Sequence, residues 1–195
     1  MTAADAARSG GGSGPGAAPD WVTVVATGSC ARCGPAATRL PRSELPAALR
    51  GEGRRWRALL GEAPAAALAR RPAPAEWSAL EGAAHARDVL ALFADRAGTA
   101  LGAPPGTEPE FGWWDHEAAV LADAYNTQDP LVVASALAAN ADRLATLLEG
   151  LPDPAWARAG TRRSTERFSV EDLARFALHE STHHRGDAER AAAAP

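Results

Sequence analysis

Three of the five histidines in this chain fall in one short stretch, Leu178-His179-Glu180-Ser181-Thr182-His183-His184-Arg185-Gly186-Asp187, together with two carboxylates. Imidazole and carboxylate are the side chains that hold borderline divalent ions and that move protons near neutral pH. Residues four apart lie one above the other on a helix, so two pairs are each able to clamp an ion: His179 with His183, and Glu180 with His184. The segment reads as the metal-binding part of a small helical protein. By itself it names no substrate.

A helical wheel at about 100° per residue separates the two pairs. The apolar stripe of the last predicted helix is Val170, Leu173, Phe176 and Ala177. With Leu173 at zero, Glu180 and His184 fall about 20° to either side and Asp187 about 40° off. His183 lies about 80° away and His179 about 120° away, on the shoulder and outer side. The wheel therefore continues the buried stripe through Glu180, His184 and Asp187. A buried carboxylate needs a partner, and a metal ion supplies one; an exposed, polar helix end is the competing reading. A third ligand must come from elsewhere. His85 lines up with Val89 and Leu92 and faces the core, as a ligand or as a plain structural histidine. His116 follows Asp115 in an aromatic loop and reads as an exposed loop residue.

The elements that must position these groups are helices. Ser43 is placed to cap a helix carrying Leu45, Leu49, Trp56, Leu59 and Leu60, with a kink or break expected at Gly51 and Gly53. A second helix is expected from about Glu76 to Leu101, stopped by Gly102-Ala103-Pro104-Pro105-Gly106. Asp115 is placed to cap a short helix reaching Tyr125. Asp129 and Pro130 open a third long helix that ends at Gly150. Pro152 and Pro154 open a loop to Phe168, and Ser169 with Asp172 forms a capping-box pattern for the last helix. Almost no strand signal is present, which predicts an all-α four-helix bundle. The expected divisions are a disordered Gly/Ser/Ala/Pro-rich tail over 1–20, an arm over 21–42 and the bundle over 43–190. Within the arm, Trp21-Val22-Thr23-Val24-Val25 reads as a lone extended piece. Cys30 and Cys33 there resemble half of a zinc knuckle, lacking two ligands, and read first as a structural or inert turn and second as a metal or redox pair.

Composition narrows the function. The chain has 195 residues, 46% hydrophobic, and a formal net charge of −4. That is one domain with room for a core and no basic footprint for nucleic acid. No apolar run suggests a membrane partner, and the N-terminus has no secretory apolar region, so a cytoplasmic location is expected. The oligomeric state stays open, a homodimer included.

Several ordered fragments resemble the DinB/YfiT-like family, in a branch of actinobacterial type. They are Arg71-Pro-Ala-Pro, Glu76-Trp77 with Leu80-Glu81, His85-Ala-Arg87-Asp88-Val89-Leu90, Trp114-Asp115, and Tyr125 with Gln128-Asp129-Pro130. Phe168-Ser-Val-Glu-Asp-Leu-Ala-Arg-Phe-Ala-Leu-His179-Glu180 and His183-His184-Arg185-Gly186-Asp187 complete the set. The resemblance spans about residues 30–190. It implies a bundle with one divalent metal, Zn²⁺ first and Ni²⁺ or Fe²⁺ next, held by His85, Glu180 and His184. Related mycothiol-dependent isomerases show the same Glu-x-x-x-His form with an Asp three residues on, although the His179/His183 register still competes. Two histidines and a carboxylate leave open coordination positions, which suit Lewis-acid chemistry or activation of a bound water or thiol. The function expected is thiol-dependent S-transfer or isomerisation of a small electrophile, with a low-molecular-weight thiol as co-substrate. A non-catalytic metal-binding stress or interaction module and a metal-dependent hydrolase are the alternatives. Asp187 and Asp88 are candidates to orient the histidines. Trp113, Trp114 and Tyr125 either line a pocket or pack under a loop.

Overall fold

The computed structural model describes Cys30 and residues 39–194. The expectations for the tail, for Trp21-Val22-Thr23-Val24-Val25 and for Cys33 lie outside these residues. Among the described residues seven α-helices follow in order: α1 (Leu45–Glu62), α2 (Ala65–Ala69), α3 (Ala79–Gly102), α4 (His116–Ala122), α5 (Pro130–Leu148), α6 (Asp153–Trp156) and α7 (Val170–Ala193). Strands β1 (Ala159–Arg162) and β2 (Glu166–Ser169) pair antiparallel between α6 and α7, with Gly160 opposite Phe168.

The four long helices, α1, α3, α5 and α7, form the bundle. Helix α1 packs on α5 and α7, and α3 packs on the same two. Helices consecutive among the four are thus diagonal at two of the three steps' ends: α1 faces α3 across the core, and α5 faces α7. The core between them is filled by Leu49, Trp56, Leu90, Leu137, Leu144 and Leu173, each fully buried.

Local sequence sets the helix boundaries. Ser78 accepts from the Glu81 amide while Glu81 reaches back to the Ser78 amide, a complete capping box that starts α3. Ser169 and Asp172 do the same for α7, as the pattern predicts. Asp115 caps α4, and Asp129 caps α5 with Pro130 in the first turn. Gly150 ends that region in the left-handed conformation, φ 67°.

Three expectations fail. Ser43 does not cap α1; it lies in a 3₁₀ turn, Arg42–Glu44, that runs directly into the helix. Helix α1 is unbroken through Gly51 and Gly53. Gly53 serves packing instead, since a Cβ there would stand 3.2 Å from the Ala138 Cα of α5. The supposed loop before Phe168 holds the β1–β2 hairpin. It is too short and too polar to show a period-two pattern. It is held from outside by the amide of Phe111 donating to the Thr161 carbonyl and that of Thr161 donating to the Pro109 carbonyl.

Helix α5 has the length and hydropathy of a bilayer span by composition alone. Here it is a bundle helix: Val133, Leu137, Ala141 and Leu144 are in the core, and Asp142 and Arg143 pair with Arg50 and Asp95 of neighbouring helices.

The glycine contacts predict opposite effects at two helical positions. Gly53→Val overpacks the α1–α5 contact and lowers unfolding free energy by about 1–3 kcal/mol. Gly98→Ala, where nothing lies within 4 Å of an added Cβ, raises it by about 0.5–1 kcal/mol. Urea unfolding of the two variants beside the parent chain measures both.

Candidate metal centre

His85 sits two turns into α3, one turn beyond Glu81 on the same side of the helix. The buried Glu81 is itself fixed by Arg71, whose Nε donates to it over 2.8 Å. Burial alone would raise the Glu81 pKa, but the hydrogen bonds from Arg71 and from Ser78 outweigh it and hold the carboxyl below its ordinary range. The entry to α3 is thereby locked twice, by its capping box and by this ion pair. Glu180 and His184 lie one turn apart on α7. An added Cβ on Gly82, three residues before His85, would stand 3.7 Å from the His184 carbonyl, so the two helices approach closely here.

The three side chains converge. Glu180 Oε2 is 3.6 Å from His85 Nε2 and 3.4 Å from His184 Nε2. One ligand atom from each residue lies within 4.8 Å of the others. These spacings are long for hydrogen bonds, which centre near ~2.9 Å for N–H···O. The His184 spacing matches the edge of a tetrahedron around one ion, ~3.3–3.4 Å for metal–ligand bonds of 2.0–2.1 Å, and the His85 spacing is slightly longer. Among the described residues the buried Nδ1 of His85 has no hydrogen-bond partner.

Protonation also suits an ion. Burial pushes the His85 pKa down to about 4, more than Glu180 raises it, and the nearby His184 lowers it further. Burial would raise the Glu180 pKa, but the contacts from His184 and His85 prevail and hold the carboxyl well below its usual range. A neutral imidazole and an ionised carboxylate are the forms that bind metal.

Aromatic rings frame the cluster. The His85 ring lies between Trp77, 4.9 Å away, and Trp114, stacked at 5.6 Å. Trp77 also stacks on His184 at 5.6 Å. His116 is exposed, as the sequence suggests, yet its ring is only 5.7 Å from that of His85. The other two aromatics are elsewhere. Trp113 is exposed under the guanidinium of Arg163, while Tyr125 is buried and donates from its hydroxyl to Asp88 Oδ2 over 2.5 Å.

The wheel misplaces one pair, and Glu180 and His184 are part-buried. His179 and His183 are not outward: they are 1% and 2% exposed, against an outer and shoulder placement expected for them. Helix α7 is covered on a second side by α1, where Trp56 Nε1 donates to the Ser181 carbonyl and hydroxyl oxygens, and by Cys30. The orienting roles expected of the two aspartates also change. Asp187 lies 3.4 Å from His183 Nε2, and Asp88 pairs with Arg87 and Tyr125.

A profile of the DinB superfamily matches residues 48–188, which include all three converging residues. The chain belongs to the DinB superfamily. Within this superfamily fold, one solved structure is similar over 76% of this chain and 86% of its own, with a TM-score of 0.67 and 17% identity. It is YfiT from Bacillus subtilis, described as a probable metal-dependent hydrolase with an unusual four-helix bundle topology. At that identity the likeness shows the fold. No curated protein matches the chain in sequence.

Sequence reasoning singled out neither Trp77 as a wall of the cluster nor Glu52 as a buried anchor. Trp77 precedes the Ser78 cap, so its place beside the first turns of α3 was within reach. Glu52 has no such signal: it is buried because Arg185, next to His184, donates to its Oε2 over 2.8 Å.

The depressed histidines give metal-free protein a defined acid response. Below the ordinary value of 6.5 the unfolded chain takes up protons at His85 that the folded chain refuses until about 4. Stability therefore falls as pH drops through that window. His183, pushed down to about 4 by burial and then by His184, adds to the same slope. Denaturant midpoints of the metal-stripped protein decline steadily from neutral pH toward 4, and His85→Gln shallows the decline. A flat profile contradicts this.

Proposed function

We propose that this DinB-superfamily chain is a metal-dependent enzyme that activates a small nucleophile, with water as the nucleophile in the leading reading. The observation that carries it is the convergence of ligand atoms of His85, Glu180 and His184 within 4.8 Å of one another, beside two tryptophans. When bound there, a divalent ion supplies Lewis acidity and lowers the pKa of a water or thiol it carries. Zn²⁺ suits the two imidazoles and one carboxylate best, with Ni²⁺ or Fe²⁺ next.

The chain's own residues do the rest. Glu180 brings the negative charge that balances part of the cation. His85 arrives neutral, so loading the site displaces no proton from it. Trp77 and Trp114 fix the plane of the His85 ring and keep bulk water from two sides of the cluster, which strengthens the electrostatics within it. They also offer flat apolar walls to a small substrate. The exposed His116 imidazole, its ring 5.7 Å from that of His85, is the group placed to accept a proton from the nucleophile or return one to a leaving group.

Two observations divide water from thiol. The bundle of YfiT is shared by this chain, and that protein is described as a probable metal-dependent hydrolase. The Glu-x-x-x-His pair resembles that of mycothiol-dependent isomerases and supports transfer of a low-molecular-weight thiol as the second reading. The position of Asp187 against His183 removes one part of that resemblance from the cluster.

Metal content and turnover test the proposal together. His85→Ala and His184→Ala each lower affinity at this site by more than about 100-fold, beyond the ~10–100-fold typical of changing an outer partner. Wild-type protein that binds no ion at these residues contradicts the reading. Metal-replete protein hydrolyses an activated ester without added thiol, and the two variants do not. Turnover of a chlorobimane-type electrophile only with thiol present shifts the reading to transfer. Turnover of neither substrate class leaves a metal-binding module.

A further inference from the structure

The last helix carries a second set of ligating atoms, one residue away from the first in sequence and about 100° around the helix. Cys30 Sγ stands 3.6 Å from His183 Nδ1. Ligand atoms of Cys30, His179 and His183 all lie within 4.8 Å of one another. The three residues are 2%, 1% and 2% exposed, so the set is more deeply buried than the first.

We propose that Cys30, His179 and His183 form a second metal site, structural in role and suited to Zn²⁺. One thiolate with two imidazoles is a soft-to-borderline donor set of the kind that selects zinc. The sulfur-to-nitrogen spacing fits. For Zn–S near 2.3 Å and Zn–N near 2.0–2.1 Å, the edge of a tetrahedron between them is ~3.6 Å. The Nδ1 of His183 faces the sulfur, and the carboxylate of Asp187 stands 3.4 Å from its Nε2 without a hydrogen bond between them. Cys33 lies outside the described residues. The fourth position of a tetrahedral ion falls to a donor beyond these three.

The same contact also resembles a cysteine–histidine–aspartate nucleophile. Burial argues against that reading, because a reactive thiol must meet its substrate, and Cys30 is covered. It also leaves the convergence of His179 on the same point without a cause. A metal site accounts for all three residues and for burial. It would fasten the segment bearing Cys30 to α7, 153 residues away in sequence from His183. It stands independently of the His85 cluster, from which it differs in containing sulfur.

Cobalt titration of the full chain, stripped of metal, tests the proposal. Two equivalents of Co²⁺ bind, one of them with a near-ultraviolet thiolate-to-cobalt charge-transfer band. Cys30→Ser and His179→Ala each lose one ion and weaken the band, whereas His85→Ala loses the other ion and leaves the band intact. Cys30→His, which retains a ligand, keeps both ions and loses band intensity, showing that the chain still folds. Wild-type protein without the band overturns the proposal, as does Cys30→Ser that takes two ions with wild-type affinity and an unchanged band. Failure of the first site alone shows differently, as a band-bearing single equivalent that His85→Ala does not alter.

Discussion

A carboxylate held between two imidazoles inside a helix interface constrains everything around it. Glu180 meets His85 and His184 where α3 and α7 touch, away from bulk water. Such a charge is costly unless its partners are fixed in place. The supports radiate from this point. A capping box and Arg71 hold the start of α3; a capping box starts α7; Arg185 ties α7 to Glu52 of α1 beside His184. Gly82 lets the two backbones approach, and Trp77 and Trp114 close on the His85 ring. Each support takes freedom from a side chain that would otherwise relax away from the cluster.

Much of this was legible in the residues. Asp115, Asp129 and Ser169 mark helix starts because their short side chains satisfy amides that the helix leaves open. The stripe through Val170, Leu173 and Ala177 leads to Glu180 and His184 because helical period carries one face forward. The same method misplaced His179 and His183. A wheel assumes a single buried face, while α7 lies against α3 on one side and against α1 and Cys30 on another. That second cover comes from residues distant in sequence, and no local pattern reports it. The hairpin before α7 was hidden for a similar reason. Its strands are four residues each, and contacts from Pro109 and Phe111 hold them.

The double cover gives α7 a chemical division of labour under the two proposals above. Its Glu180/His184 face is bordered by aromatic rings and by the exposed His116, which suits a site that exchanges ligands. Its His179/His183 face is sealed by Cys30 and lies near Trp56 and Ser181, which suits an ion that stays. The two faces adjoin: the His183 and His184 rings are 5.4 Å apart, and His179 Nε2 is 4.0 Å from Glu180 Oε1. Charge placed on one face is therefore felt at the other, and the lowered pKa of His183 already carries a contribution from His184.

The central claim is that an ion belongs among His85, Glu180 and His184. Anomalous diffraction at the zinc edge from crystals of metal-replete protein tests it most directly. The account predicts a peak bonded to one atom from each of those three residues. A zinc-replete crystal with no peak at that point, or with His85 and His184 turned away from one another, would contradict it.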